Sequence, residues 1–194
     1  MIPAGSALTI TGGHGHNIGI ARQVDGADAV QQAPSARRSA RGALAIKLIA
    51  TGGVLTPGIG ATFTAFTTEE LTAAIDEAHS WDRGVAAHAI GAEGSLRAVL
   101  AGVDTVEHCV QVTPRIAKEM AARRDVPRSD DRRADGDRHS EGKAPAYAVT
   151  KAKALVDEAK AGHRAGDRAP GSRRTSARPT PGRRSTRTAT PRTR

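Results

Sequence analysis

The sequence predicts an α/β fold in which helices pack against a parallel β-sheet. Short apolar runs alternate along the chain with longer stretches of helical periodicity, and this order is typical of βα units. Of the 194 residues, 38% are hydrophobic but only 2% are aromatic, so the core must be aliphatic. The length is that of one domain of ordinary size.

Four apolar runs are the predicted strands, in chain order Ala7–Thr11, Ala45–Thr51, Val85–Ala89 and Asp104–His108. A pair of glycines follows each of the first two runs. The second run, AIKLIAT, is apolar enough to be covered on both faces, as strands of parallel sheets commonly are.

The most regular helical pattern lies between the second and third strands. Thr67 can cap a helix there because Glu70 follows three residues later. One face of this helix is apolar at the spacing i, i+3, i+4 and i+7, with the members Leu71, Ala74, Ile75 and Ala78.

Three more helices are predicted further along the chain. They span Gly94–Leu100, the stretch from Thr113-Pro114 to Arg123, and the stretch from Pro145 to about Ala165. Proline suits the first helical position because its missing N–H costs nothing there. Four strands with these helices amount to a partial (β/α)8 TIM-type barrel, about half of one, whose two sheet edges remain open.

Composition argues against several classes of protein. No stretch approaches eighteen consecutive apolar residues and the first ten residues lack a basic segment, so we expect no membrane span and a cytoplasmic location. The single cysteine, Cys109, excludes an intrachain disulfide and a thiolate zinc knuckle. Because aromatic residues are few, nucleic acid bound by base stacking is not expected.

The positive charge is concentrated in a C-terminal tail. Residues 165–194 hold nine arginines against one acid, Asp167, so they carry +8 of the total +9. We expect this Arg/Pro/Thr-rich tail to be disordered. Such an arm attracts phosphate electrostatically. A non-catalytic chain that binds polyanions or nucleic acid through its tail is therefore the alternative to an enzyme.

Three polar residues stand near the C-terminal ends of predicted strands, where barrels of this type carry their chemistry: Lys47, His88 and His108. A lysine inside an apolar strand is costly unless it is neutralised or paired. Lys47 is therefore either an edge residue that reaches solvent or a functional group. A lone histidine in a strand is usually a hydrogen-bonded core residue, but histidines on two successive parallel strands converge at one rim and can act as metal ligands.

Several motifs, in this order, closely resemble the metal-dependent amidohydrolases of the imidazolonepropionase-like and Xaa-Pro-dipeptidase-like group. They are ITGGHGHNIG, AIKLIATGGVLTPG, the helix start TTEEL, GVAAHAIGAEG and AGVDTVEHC. The resemblance covers roughly residues 5–123 and 144–165. It implies a (β/α)8 barrel that holds two divalent metals, usually zinc, bridged by a carboxylated lysine and a hydroxide.

Taken position by position, the resemblance implies that Lys47 is the carboxylated lysine and that His88 and His108 are metal ligands. His14 and His16 would be substrate-side histidines, although a solvent-exposed glycine-rich loop is the other interpretation of their segment. The implied activity is hydrolysis of an amide, peptide-like or cyclic amide bond by a metal-bound hydroxide. Small amides or dipeptides are the expected substrates, and self-association into a homo-oligomer is a further expectation.

The chain departs from the family pattern in two places. The first-strand His-x-His pair and the last-strand aspartate that relays a proton are not found where the pattern requires them, so no catalytic residue is assigned. We expect a truncated fragment without activity of its own.

The tail also supports a second hypothesis, a frame-shifted gene. Reading its GC-rich codons one base out of phase, from the Ala177/Arg178 junction to the Thr188/Ala189 junction, permits A-T-D-A-G-T-P-F-N-P-H-G, which contains the missing aspartate motif. On this hypothesis the chain divides into four parts. They are a barrel fragment at 1–126, an irregular, frame-shifted segment at 127–143, a family helix at 144–165 and the disordered tail at 166–194.

Overall fold

The structure, a computed structural model, describes residues 4–33, 45–123 and 145–167. The segment 127–143 and the tail beyond residue 167 lie outside the described residues. Five parallel strands form one sheet in the order β2-β1-β3-β4-β5. Their bounds are Ala7–Thr9 (β1), Ala21–Gln23 (β2), Ala45–Ile49 (β3), Gly84–Ala89 (β4) and Thr105–His108 (β5).

Helices follow the strands, as the sequence predicts for an α/β protein. Their bounds are Ala27–Gln32 (α1), Thr68–Ser80 (α2), Ala92–Ala101 (α3), Pro114–Ala122 (α4) and Ala146–Asp167 (α5), and a short 3-10 turn spans His16–Ile18. Within the described residues, no helix combines the length and the apolar character needed to cross a bilayer.

The prediction of four strands is wrong by one. β2 was not predictable from an apolar run because two of its three residues, Arg22 and Gln23, are exposed at the edge of the sheet. β1 is also shorter than predicted. It ends at Thr9 because the backbone N–H of Thr11 donates to the Asp25 carboxylate, outside the ladder of β-sheet hydrogen bonds.

Helix α2 forms as its sequence pattern predicts. Thr67 accepts a hydrogen bond from the backbone N–H of Glu70, and the Glu70 side chain accepts one from the backbone N–H of Thr67. This reciprocal capping satisfies two donors that a helix start leaves free. The buried residues of the helix are those predicted, namely Leu71, Ala74, Ile75 and Ala78.

The two faces of the sheet differ in chemistry. One face carries Leu8, Leu48 and Val106, which are fully buried in the core that the helices cover. Side chains alternate along a strand, so the other face receives the intervening residues of each strand. Register across β3, β4 and β5 puts Lys47 beside Ala86, and His88 beside Glu107, on this second face. The polar residues of the strands therefore share one side of the sheet.

Candidate functional site

Three histidine rings lie in a row at the C-terminal ends of the strands. The centroid of the His88 ring is 4.8 Å from that of His14 and 4.8 Å from that of His108. His14 and His88 are buried, whereas His108 is partly exposed. Ring contacts therefore join three of the five residues that the sequence singles out.

His88 is held by the end of the neighbouring strand. It is the penultimate residue of β4, and its Nε2 lies 2.8 Å from the carbonyl oxygen of Gly52, just beyond β3. Because a carbonyl only accepts, Nε2 carries the proton in this contact. Nδ1 of the neutral ring is then the nitrogen left with a free lone pair.

His108 reaches the row through an unusual backbone. It ends β5 with φ of 69°, and Cys109 follows with φ of 43°, both in the left-handed region that side-chain-bearing residues seldom adopt. Regular alternation would place residues 107 and 108 on opposite faces of the sheet, yet the His108 ring contacts the ring of His88. Cys109 is completely buried in the hydrophobic core.

Lys47 lies in the middle of the sheet. β3 is the central strand of the five, so the interpretation of Lys47 as an edge residue is wrong. Its ammonium forms an ion pair with the Glu107 carboxylate of β5, and the two side chains are 17% and 35% exposed. The pair spans β4, the strand between them. A cation that is mostly shielded from water thus has a partner.

The two histidines of the GGHGH loop have different environments. His14 is buried, with Nδ1 lying 2.8 Å from the hydroxyl of Thr56, and its ring lies so close to Gly53 that a Cβ there would collide with it. His16 opens the 3-10 turn, where its Nδ1 lies 2.6 Å from the carbonyl oxygen of Gly13. His16 makes no ring contact with the row among the described residues.

Burial makes the imidazoles of His14 and His88 weaker bases than an exposed histidine. Desolvation lowers the pKa of His88 well below the ordinary value of 6.5, and nearby His108 lowers it further, while the hydrogen bond to Gly52 opposes the shift. Desolvation also lowers the pKa of His14, with additional repulsion from His108 and Lys151. Both rings are therefore neutral at pH 7.

Helix α5 packs against the loop that follows β3. The ammonium of Lys151 donates to the carbonyl oxygens of Thr56, at 2.7 Å, and Ile59, at 2.6 Å. The hydroxyl of Tyr147 donates to the carbonyl oxygen of Leu55 at 3.0 Å. The loop that carries Thr56 is thus held by a helix some 90 residues later in the chain.

Comparison with known proteins agrees with this arrangement of strands and helices. Residues 8–124 match the amidohydrolase family, which is more than half of the chain. The chain belongs to the amidohydrolase family. Ochratoxinase of Aspergillus niger is 40% identical to this amidohydrolase chain over 68 residues, which are 35% of the chain and 14% of ochratoxinase.

Two solved structures are similar over most of the amidohydrolase chain. A Xaa-Pro dipeptidase with methionine bound in its active site gives a TM-score of 0.76 at 26% identity, over 88% of this chain. A prolidase in complex with N-methylphosphonate-L-proline gives a TM-score of 0.74 at 30% identity, over 86% of this chain. Each match spans 45% of the solved chain. The described sheet and helices therefore correspond to about half of a TIM-barrel amidohydrolase.

The donor atoms of this amidohydrolase chain fit a divalent metal in kind but fall short in number. Neutral imidazoles are good zinc ligands, and burial keeps His88 neutral. The Lys47 amine, however, is occupied by Glu107. In residues 4–33, 45–123 and 145–167, no three His, Cys, Asp or Glu side chains form a group that could hold a metal ion.

Sequence reasoning missed three residues of the site region. Glu107 was the easiest of the three to predict from the sequence. An acid inside the DTVEH strand and a lysine inside the AIKLI strand are complementary charges on one sheet. Thr56 and Lys151 gave no local signal. Thr56 contacts His14 across a separation of 42 positions in the sequence, and Lys151 contacts the loop across a separation of 95 positions.

Proposed function

We propose that the chain carries half of a metal-dependent hydrolytic centre for C–N bonds. The observation that supports the proposal is the row of His14, His88 and His108 rings, with the ion pair of Lys47 and Glu107 beside His88 on the same face of the sheet. Family membership supplies the reaction class, since amidohydrolases cleave amide and related bonds. The proposed substrates are small amides, dipeptides or cyclic amides.

In this proposal His88 and His108 would hold the metal, which we take to be zinc, through imidazole nitrogens. Nδ1 is the nitrogen that His88 would have available, because Nε2 donates to the carbonyl oxygen of Gly52. Lys47 would contribute oxygen ligands as a carbamate. When bound, the metal lowers the pKa of a water molecule and polarises the carbonyl of the substrate. Buried, neutral His14 would line the substrate side. The similarity to a Xaa-Pro dipeptidase and a prolidase supports a dipeptide as the substrate.

The ion pair between Lys47 and Glu107 opposes carbamate formation in the metal-free chain. Conversion of the ammonium to a carbamate would replace an attraction with a repulsion between two anions, at 17% and 35% side-chain exposure. Metal cations would be needed to offset that repulsion. We therefore propose that the chain alone binds metal weakly and does not turn over substrate, since too few ligands cannot fix a catalytic geometry.

Zinc titration of the full chain tests this function. Calorimetry measures the affinity for zinc, and elemental analysis after dialysis measures how much zinc is retained. We expect about one weakly bound zinc ion per chain, lost in His88→Ala and Lys47→Ala, as for incomplete sites. His79→Ala is the matched control, because His79 is an exposed histidine that pairs with Asp104 away from the row. Binding that is absent in the wild type, or unchanged in His88→Ala, would contradict the proposal.

Hydrolysis of Xaa-Pro dipeptides and N-acyl amino acids by the same preparations gives the second readout. We expect no turnover above the zinc-only background from the chain alone. Turnover that requires His88 would show that the chain is a complete enzyme and would overturn the proposed inactivity while leaving the reaction class intact.

A further inference from the structure

The hydrogen bonds around Thr56 determine which nitrogen of His14 carries its proton. The Thr56 hydroxyl lies 2.8 Å from Nδ1 of His14 and 3.1 Å from Oδ1 of Asn17, and the backbone N–H of Gly15 points at it from 3.3 Å. A hydroxyl has one proton to donate and two lone pairs to accept with. Three neighbours therefore use its full capacity, and the direction of each bond follows from the others.

Asn17 fixes where the Thr56 proton goes. The amide nitrogen of Asn17 donates to the carbonyl oxygen of Leu55 at 3.3 Å, and a carbonyl cannot donate in return. The orientation of the Asn17 amide is thereby set, with Oδ1 turned toward Thr56. Because Oδ1 is an acceptor, the single hydroxyl proton of Thr56 points to Asn17. Nothing is left for the hydroxyl to donate to His14.

We propose that Thr56 and Asn17 are positioning residues that lock His14 in the Nδ1–H tautomer and so present Nε2 as a hydrogen-bond acceptor to the substrate. Gly15 N–H is an obligate donor to Thr56, so the remaining lone pair of the hydroxyl accepts from Nδ1–H of His14. An acceptor at this position selects an N–H or O–H group of an amide or dipeptide and disfavours a carboxylate. The role of this acceptor rests on the proposed function, whereas the tautomer does not.

The close approach of Gly53 restrains the position of the His14 ring. Its backbone lies against the face of the His14 ring, where any Cβ would collide with the ring atoms. The ring is therefore restrained both by packing and by the hydroxyl at Nδ1. A site whose geometry is fixed before the substrate arrives loses less entropy on binding.

Long-range 1H–15N correlation spectra of the full chain, labelled with 15N-histidine and recorded without added metal, test the tautomer. The signals of His14 are identified by their loss in His14→Gln. We expect a protonated Nδ1 and an unprotonated Nε2 in the wild type and in Thr56→Ser. A wild-type His14 protonated at Nε2 would overturn the proposal.

Asn17→Leu is the decisive variant because Asn17 is exposed and its side chain forms hydrogen bonds with Leu55 and Thr56. Without Oδ1, the Thr56 proton is free to turn to Nδ1 of His14, so the tautomer should shift toward Nε2–H. Asn17→Asp is the matched control, since its carboxylate still accepts from Thr56 and the wild-type tautomer should persist. An unchanged tautomer in Asn17→Leu would also overturn the proposal.

The tautomer measurement can succeed or fail independently of zinc binding and hydrolysis. If zinc binding or turnover fails, the proposed function fails while the tautomer assignment stands. If the spectra show the other tautomer, zinc binding by His88 is unaffected and only the positioning role of Thr56 and Asn17 is lost.

Discussion

Lys47 and Glu107 are paired across a whole intervening strand. Lys47 is on β3 and Glu107 is on β5, and β4 runs between them with Ala86 as the register partner of Lys47. The small side chain of Ala86 leaves the space above β4 open at this point. The ion pair therefore ties together three strands of the sheet and stands directly beside His88, the register partner of Glu107.

A double-mutant cycle should show that this pair stabilises the fold modestly. Because the Lys47 side chain is 17% exposed and that of Glu107 35%, screening reduces the interaction, and we expect a coupling of about 1 kcal/mol. Urea unfolding of Lys47→Met, Glu107→Gln and the double variant measures it. Glu107→Gln should cost more than the double variant, since it removes the carboxylate charge from beside a shielded cation. Additive effects would show that the pair contributes nothing.

We expect the same pair to make any carboxylation of Lys47 depend on the charge of residue 107. With 13C-bicarbonate and no metal, we expect no carbamate signal from the wild type, because the product would place two anions side by side. Glu107→Gln removes that repulsion and should give a larger signal, and Lys47→Met shows which signal belongs to this residue. A strong wild-type carbamate signal without metal would refute the expected repulsion.

Burial of His88 makes stability fall in mild acid. Its pKa in the folded chain lies well below 6.5, so the unfolded state binds the proton first as the pH decreases. Stability is fully present above about pH 6.5 and is lost as the pH falls toward the lower folded pKa. Between pH 7.5 and 5.5 we expect His88 to account for a loss of about 1 kcal/mol.

His88→Gln provides the comparison for that pH dependence. Its side-chain amide can still donate to the carbonyl oxygen of Gly52, as Nε2 of His88 does, but it does not titrate. Urea unfolding at the two pH values should give a smaller loss in this variant. An equal loss in both proteins would assign the acid sensitivity to other groups.

Two glycines of one loop should respond differently to an added methyl group. A Cβ at Gly53 would collide with the His14 ring, whereas a Cβ at Gly60 meets no atom within 4 Å. We expect Gly53→Ala to lower the free energy of unfolding by about 1–3 kcal/mol, as overpacking does, and Gly60→Ala to leave it nearly unchanged. Similar values for both variants, from urea unfolding, would show that His14 moves aside freely.

Nucleotide sequencing of the locus tests the frame-shift hypothesis. We expect a neighbouring frame that encodes the aspartate motif opposite residues 177–189 of the tail. If the locus is sequenced on both sides and no homologous frame lies beside the arginine codons, the hypothesis is wrong. The arginine-rich tail would then be a genuine part of the chain.

Sequence reasoning succeeds here wherever the signal is local. The capping pair Thr67 and Glu70 and the apolar stripe of α2 lie within four residues of one another, so the pattern specifies the helix. Strands β3 and β4, which carry Lys47 and His88, were predictable because each is a short apolar run with a glycine within three residues of its end.

The failures have physical causes of two kinds. β2 has no apolar pattern because it lies at an edge, and its pairing with β1 depends on the course of the loop between them. The position of the His108 ring depends on a left-handed backbone at a residue with a side chain, which strand alternation does not foresee. Thr56 acquires its importance from His14 and Lys151, which are distant in sequence.

Thr56 forms hydrogen bonds in two directions. Its carbonyl oxygen accepts from Lys151 of α5, and its hydroxyl is hydrogen-bonded to His14. We expect a displacement of α5 to reach the row of imidazoles through one residue, Thr56. Mutations on a surface helix far along the chain should alter the imidazole chemistry without touching any histidine. An engineer who wishes to tune this centre could work from outside it.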